Sequence, residues 1–116
     1  MSIAALRALH DANLGPEDIE FILVGTNSTD EFLVPQLGPR VQYLIGAGEI
    51  HCPDIGYGCT GAVSAIELGS RIIRDIYHTE KRIVRGLAIG GDTMSVVTPV
   101  DVRDSLVVLA DGTGAA

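Results

Sequence analysis

Aromatic side chains make up only 4% of these 116 residues. A core without them has to be filled by Ala, Val, Ile and Leu at close range, and a chain 47% hydrophobic with 14 glycines suits tightly packed helices on a buried sheet better than a fibrous or disordered state. Basic residues are scarce too, eight against fifteen acidic ones for a net charge of -7. Phosphate-backbone binding depends on clustered Lys and Arg, so no nucleic-acid partner is expected. No apolar run approaches the roughly 18 residues of a membrane helix and no secretory leader is visible, so no membrane partner and a cytoplasmic, reducing setting are expected. Cysteine is limited to Cys52 and Cys59, with no mutual disulfide expected in such a setting. His10, His51 and His78 show no metal-ligand spacing with them, and His51 and Cys52, adjacent on an extended segment, point to opposite faces. No metal site is expected. No G-x-G-x-x-G joins a strand to a helix, which argues against a dinucleotide-binding module. Repeats, linkers and low-complexity tracts are absent as well, and the length allows one modest domain.

What the chain does have is centred on residues 54–73, DIGYGCTGAVSAIELGSRII. A short extended run meets Gly58 and Gly61, which supply backbone freedom, and an apolar helical pattern begins at Ala62. Cys59 is thereby placed at or near a helix N-terminus. The unpaired N–H groups and positive dipole end there favour a thiolate and can hold a developing oxyanion. Such a thiolate is a nucleophile. The competing reading is a small buried hydrophobe, the commoner fate of a free cysteine.

Around this stretch the pattern alternates. Residues 2–13 carry Ile3, Leu6, Leu9 and Ala12 at helical spacing, stopped by Gly15-Pro16. Residues 21–24, FILV, form a continuous apolar run of the kind buried on both faces of a parallel sheet. A second helix starts at Pro35, with Leu37, Val41, Leu44 and Ile45 on one side and Gly46 or Gly48 as its stop. Residues 52–57 read as extended. The helix after Cys59 is expected to run to about Tyr77 with Val63, Ile66, Ser70, Ile73 and Tyr77 facing inward, buried between layers. Strands are expected at residues 83–89, closed by Gly90-Gly91-Asp92, and at 105–109, with residues 111–114 as a further glycine turn. This order predicts an α/β layered fold with a mostly parallel sheet.

The stretches VGT at 24–26, PQLGPRVQ at 35–42, DIGYGCTGA at 54–62, GGD at 90–92, DVR at 101–103 and ADGTGAA at 110–116 together resemble the β-ketoacyl-acyl-carrier-protein synthase III family of thiolase-like condensing enzymes. The resemblance runs the length of the chain in order. It implies a thiolase-like layered fold, with residues 1–116 as a partial N-terminal domain: one half of an αβαβα arrangement with a mixed, mostly parallel sheet. It further implies that the family's first strand, central in that sheet, and the whole second half lie outside these residues. In that family the cysteine takes an acyl group from acyl-CoA and then condenses it with malonyl-acyl carrier protein, losing carbon dioxide. Cys59 matches the acylated cysteine, Arg103 an arginine contacting the CoA nucleotide, and Val34 a position reaching across a homodimer to the partner's acyl pocket. Asp111, Gly112 and Gly114 match a structural glycine turn near the floor of the site. Ala62 stands where an aromatic residue often follows, and Leu109-Ala110 replaces the usual Phe-Gly. No cofactor is implied, acyl-CoA being a substrate; acyl carrier protein is the expected partner. The family's catalytic histidine and asparagine belong to the second half. A polyketide starter synthase, thiolase or hydroxymethylglutaryl-CoA synthase, and a non-catalytic partner subunit of the same fold, are the alternative readings.

Overall fold

The structure is a computed structural model that describes residues 1–27, 36–56, 58–96, 98, 101 and 109–116. Four apolar residues in succession leave strand β1 (Phe21–Gly25) with no polar face, and it is buried along its whole length, as the sequence predicts. It pairs in parallel with β2 (Asp54–Ile55) on one side and β3 (Gly86–Asp92) on the other, while β4 (Gly112–Ala115) runs antiparallel along β3. The order is β2-β1-β3-β4. Because successive strand residues point to opposite faces, β1 feeds two separate cores. Ile22 and Val24 pack with Ala5 and Leu9 of α1 (Ser2–Asp11) and with Val41 and Ile45 of α2 (Leu37–Ile45). Phe21 and Leu23 pack with Ala65 of α3 (Gly61–Glu80), Ile55 and Val84. The result is three layers: α1 and α2, the sheet, then α3. Ile22, Leu23 and Val24 are fully buried, each worth about 1.5–3 kcal/mol of transfer free energy.

Several expectations are corrected. β1 pairs directly with β3, so these four strands leave no gap for a strand at the centre of the sheet. β3 runs through Gly90 and Gly91, where a closing turn is expected, because α3 and β4 approach too closely there for side chains: a Cβ on Gly90 would lie 2.2 Å from the Ala62 Cβ, and one on Gly91 2.8 Å from the Thr113 hydroxyl. Gly112 to Ala115 form a strand instead of a turn, since Gly90 and Gly114 pair across it. The strand expected at residues 105–109 falls mostly outside the described residues.

The inward face of α3 is also different. Gly61, Ala65 and Gly69 face the sheet and are buried, with Ile72 and Ile76 packed beside them. Val63, Ile66, Ser70, Ile73 and Tyr77 are exposed within these 116 residues. The reason at the start of the helix is volume: where α3 meets β1 and β3 closely enough for a Cβ on Gly25 or Gly90 to clash with Gly61 or Ala62, only small side chains fit. The helix also continues past Tyr77 to Glu80, closed by Lys81 in the left-handed conformation at φ 54°.

Candidate active site

Each parallel strand delivers one part of the site at its carboxyl end. β1 leads into Thr26 and Asn27, β2 leads to the cysteine turn, and β3 ends on Asp92. The chain leaves β1 through α2 toward one edge and leaves β2 through α3 toward the other, so the order reverses around β1. A crevice at the carboxyl ends of the strands beside such a reversal is where open α/β sheets bind ligands.

Gly58, at φ 57°, takes a conformation that costs glycine nothing and bends the chain into a short 3-10 turn, Gly58–Thr60, that continues directly into α3. Cys59 sits in that turn, exposed and unbridged. Cys59 thus lies at the helix start where the sequence places it, exposed among the described residues. The first α3 N–H groups have no acceptor within the helix, so a negative charge developing beside Cys59 would meet hydrogen-bond donors and the positive end of the dipole.

The depth of that helix start is fixed by backbone. A Cβ on Gly25 would lie 2.1 Å from the Gly61 carbonyl carbon and oxygen, and a Cβ on Gly61 3.0 Å from the Thr26 nitrogen. The end of β1 and the first turn of α3 therefore touch main chain to main chain. Next to this contact, Asp92 Oδ1 accepts the Asn27 N–H at 2.6 Å and the Thr26 hydroxyl at 3.2 Å. Thr26 is buried. Asn27 Oδ1 in turn lies 3.7 Å from where a Cβ on Gly58 would be.

The second cysteine is of a different kind. The Cys52 thiol donates to Gln42 Oε1 at 2.9 Å, and burial first, then the charge of Asp54, pushes its pKa up. Both effects disfavour the thiolate. Asp54 is a helix cap, accepting the N–H groups of Leu37 and Gly38 at 2.7 and 2.6 Å at the start of α2. Asp111 accepts the Ser95 hydroxyl at 2.6 Å and its N–H at 2.8 Å, and the Ser95 side chain followed by its backbone holds the carboxyl below its usual range. That is a structural role, in keeping with the reading of this stretch.

Val34 and Arg103, the two expected substrate-side residues, lie outside the described residues. The sequence does not single out Asp92, Thr26 and Asn27 as site residues, although GGD carries Asp92 and VGT carries Thr26 and ends beside Asn27; a threonine after a buried strand and an aspartate ending another are the only signals. Among the described residues no group of three or more His, Cys, Asp or Glu could hold a metal, and no helix is long and apolar enough to cross a membrane.

Comparison with known proteins agrees with this geometry. The family profile described as 3-oxoacyl-(acyl-carrier-protein) synthase III matches residues 53–116. A β-ketoacyl-(acyl-carrier-protein) synthase III of Clostridium acetobutylicum is 35% identical over 113 residues, covering 97% of this chain and 33% of its own. Among solved structures, the 3-oxoacyl-(acyl-carrier-protein) synthase III of Aquifex aeolicus superposes with a TM-score of 0.82 at 27% identity, covering 98% of this chain and 35% of that one. AbyA1, a tetronic acid condensing enzyme, gives 0.77 at 27% identity, with 98% and 32% covered. The chain thus spans about a third of the length of the curated relatives it matches. Its sheet and helices have the α/β thiolase-like fold of these condensing enzymes, and the match across residues 53–116, Cys59 included, shows that the chain belongs to the 3-oxoacyl-(acyl-carrier-protein) synthase III family.

Proposed function

We propose that the whole protein is an acyltransferase of fatty-acid biosynthesis that forms an acyl-cysteine at Cys59 and condenses it with a malonyl group on acyl carrier protein. The observation that carries this reading is the exposed Cys59 in the turn that opens α3, at the carboxyl ends of the parallel strands. The Cys59 thiolate attacks the thioester carbonyl of acyl-CoA. The carbonyl oxygen takes up negative charge beside the N–H groups of the helix start, and the tetrahedral adduct collapses with CoA leaving as its thiolate, which takes a proton from solvent. Decarboxylation of the malonyl thioester then leaves a carbanion that attacks the acyl-cysteine carbonyl, which frees the Cys59 sulfur and joins the two carbon chains. The histidine and asparagine that the family uses to stabilise that enolate are assigned to the part of the protein beyond these residues. Arg103 serves the CoA nucleotide and Val34 the partner's acyl pocket in a homodimer. The reaction needs no cofactor, and its setting is the cytoplasm.

Likeness to a tetronic acid condensing enzyme favours one second reading, a condensing enzyme of polyketide type that uses the same cysteine with another acceptor. Intact-protein mass spectrometry of the full-length protein and its Cys59→Ala variant, incubated with acetyl-CoA and longer acyl-CoAs, tests the first half-reaction. A thioester mass gain on the parent alone is expected. Product analysis with malonyl-acyl carrier protein separates the two readings, and absence of an adduct with every acyl-CoA would overturn the first.

A further inference from the structure

We propose that Asp92 is the positioning residue of the nucleophile turn, acting through Asn27 on Gly58. The inference rests on the acyl-transfer reading above and adds to it a residue on a different strand. Three facts carry it. Asp92 Oδ1 holds both the Thr26 hydroxyl and the Asn27 N–H, so one carboxylate oxygen at the end of β3 ties down the first two residues after β1. The Asn27 side-chain oxygen lies 3.7 Å from where a Cβ on Gly58 would be, and Gly58 is the left-handed residue immediately before Cys59. The helix beyond Cys59 is seated on Gly25, the residue immediately before Thr26. The turn and the helix it opens thus lie along Gly25, Thr26 and Asn27, and Asp92 ties the last two of these to the end of the neighbouring strand β3.

The hydrogen bonds to Asp92 need an acceptor at Oδ1 and not a charge. Asparagine offers the same acceptor, whereas alanine removes it and leaves the buried Thr26 hydroxyl and the Asn27 N–H to find others. Asp92→Ala should lower the rate of Cys59 acylation by about 10- to 100-fold through misplacement of the sulfur, with the acyl-CoA KM little changed. Asp92→Asn should restore most of the rate. The same ordering is expected for alkylation of Cys59 by iodoacetamide, which needs no acyl donor, so the positioning role is read even if no acyl-CoA proves to be a substrate. Thr26→Val, which removes one of the two bonds and keeps the side-chain shape, should give an intermediate loss and stands in for the alanine variant should that one not fold. Parental acylation and alkylation rates in Asp92→Ala would overturn the proposal. So would an asparagine variant as impaired as the alanine one, since that result assigns the effect to charge.

Discussion

Gly90→Ala puts the seat of α3 under direct load. Gly90 pairs with Gly25 on one side and Gly114 on the other, so the strand cannot retreat from the helix without breaking two ladders. A Cβ at this position would lie 2.2 Å from the Ala62 Cβ and 3.1 Å from its Cα. To reach ordinary contact the first turn of α3 has to lift by more than about 1 Å. Overpacking of this kind costs about 1–3 kcal/mol. Ala62 is three residues from Cys59, one helical turn, so the sulfur moves with it, and a displacement near 1 Å costs on the order of 100-fold in rate. Urea unfolding and the initial rate of acyl-cysteine formation, read by intact mass on the full-length protein, are the paired measurements. Gly112→Ala is the control, because a Cβ there meets nothing within 4 Å among the described residues, and it should leave both unchanged. A Gly90→Ala protein with parental midpoint and rate would refute the overpacking. Lost stability with a parental rate would refute the coupling of the helix seat to the nucleophile.

Asp54→Ala removes the cap from two N–H groups of α2 and should lower stability by about 1–2 kcal/mol, seen as a lower urea midpoint; Asp54→Asn, which retains acceptor oxygen, should lose less. The depressed Asp111 carboxyl predicts acid sensitivity of the Ser95 clamp. Because its folded-state pKa lies below the unfolded value, its contribution is present above the ordinary value near 3.8 and is lost as pH falls through the depressed one. The difference in thermal midpoint between parent and Asp111→Ala should accordingly be constant at neutral pH and shrink only below that value; a difference that already shrinks near pH 6 would exclude this carboxylate as the cause. With Cys52 held by Gln42 and its thiol pushed up, iodoacetamide at pH 7.5 should label Cys59 well before Cys52 by peptide mass mapping, and equal rates would contradict the hydrogen-bonded thiol.

Much of this architecture is legible from pattern because the physics is local. The run FILV admits no polar face, and a strand buried on both sides follows; Gly58 and Gly61 around Cys59 announce a turn feeding a helix, and a helix starts there. The errors share a cause that is not local. Gly90, Gly91, Gly112 and Gly114 read as turns when taken singly, yet they lie in paired strands: a helix and a neighbouring strand occupy the space that side chains on Gly90 and Gly91 would need, and Gly112 and Gly114 pair with Asp92 and Gly90 across the ladder. On α3 the same closeness puts Gly61, Ala65 and Gly69 against the sheet: hydrophobicity marks which residues avoid water, whereas closeness of approach decides which of them can touch a sheet. Asp92 was invisible as a partner of Asn27 because 65 positions separate them and only the parallel pairing of β1 with β3 brings their ends together.

The division of β1 between two cores also sets how this chain can vary over generations. Ile22 and Leu23 are covalent neighbours but share no core, so a change at one is not compensated at the other. Phe21 and Gly86 lie 65 positions apart and trade volume directly, since a Cβ on Gly86 would fall 2.0 Å from the Phe21 ring. Drift at position 86 toward a larger residue requires a smaller one at 21, whereas positions 22 and 23 drift independently. Covariation within the family should therefore link positions across a sheet face, 21 with 86 and 22 with 9, and leave adjacent positions of the strand uncorrelated.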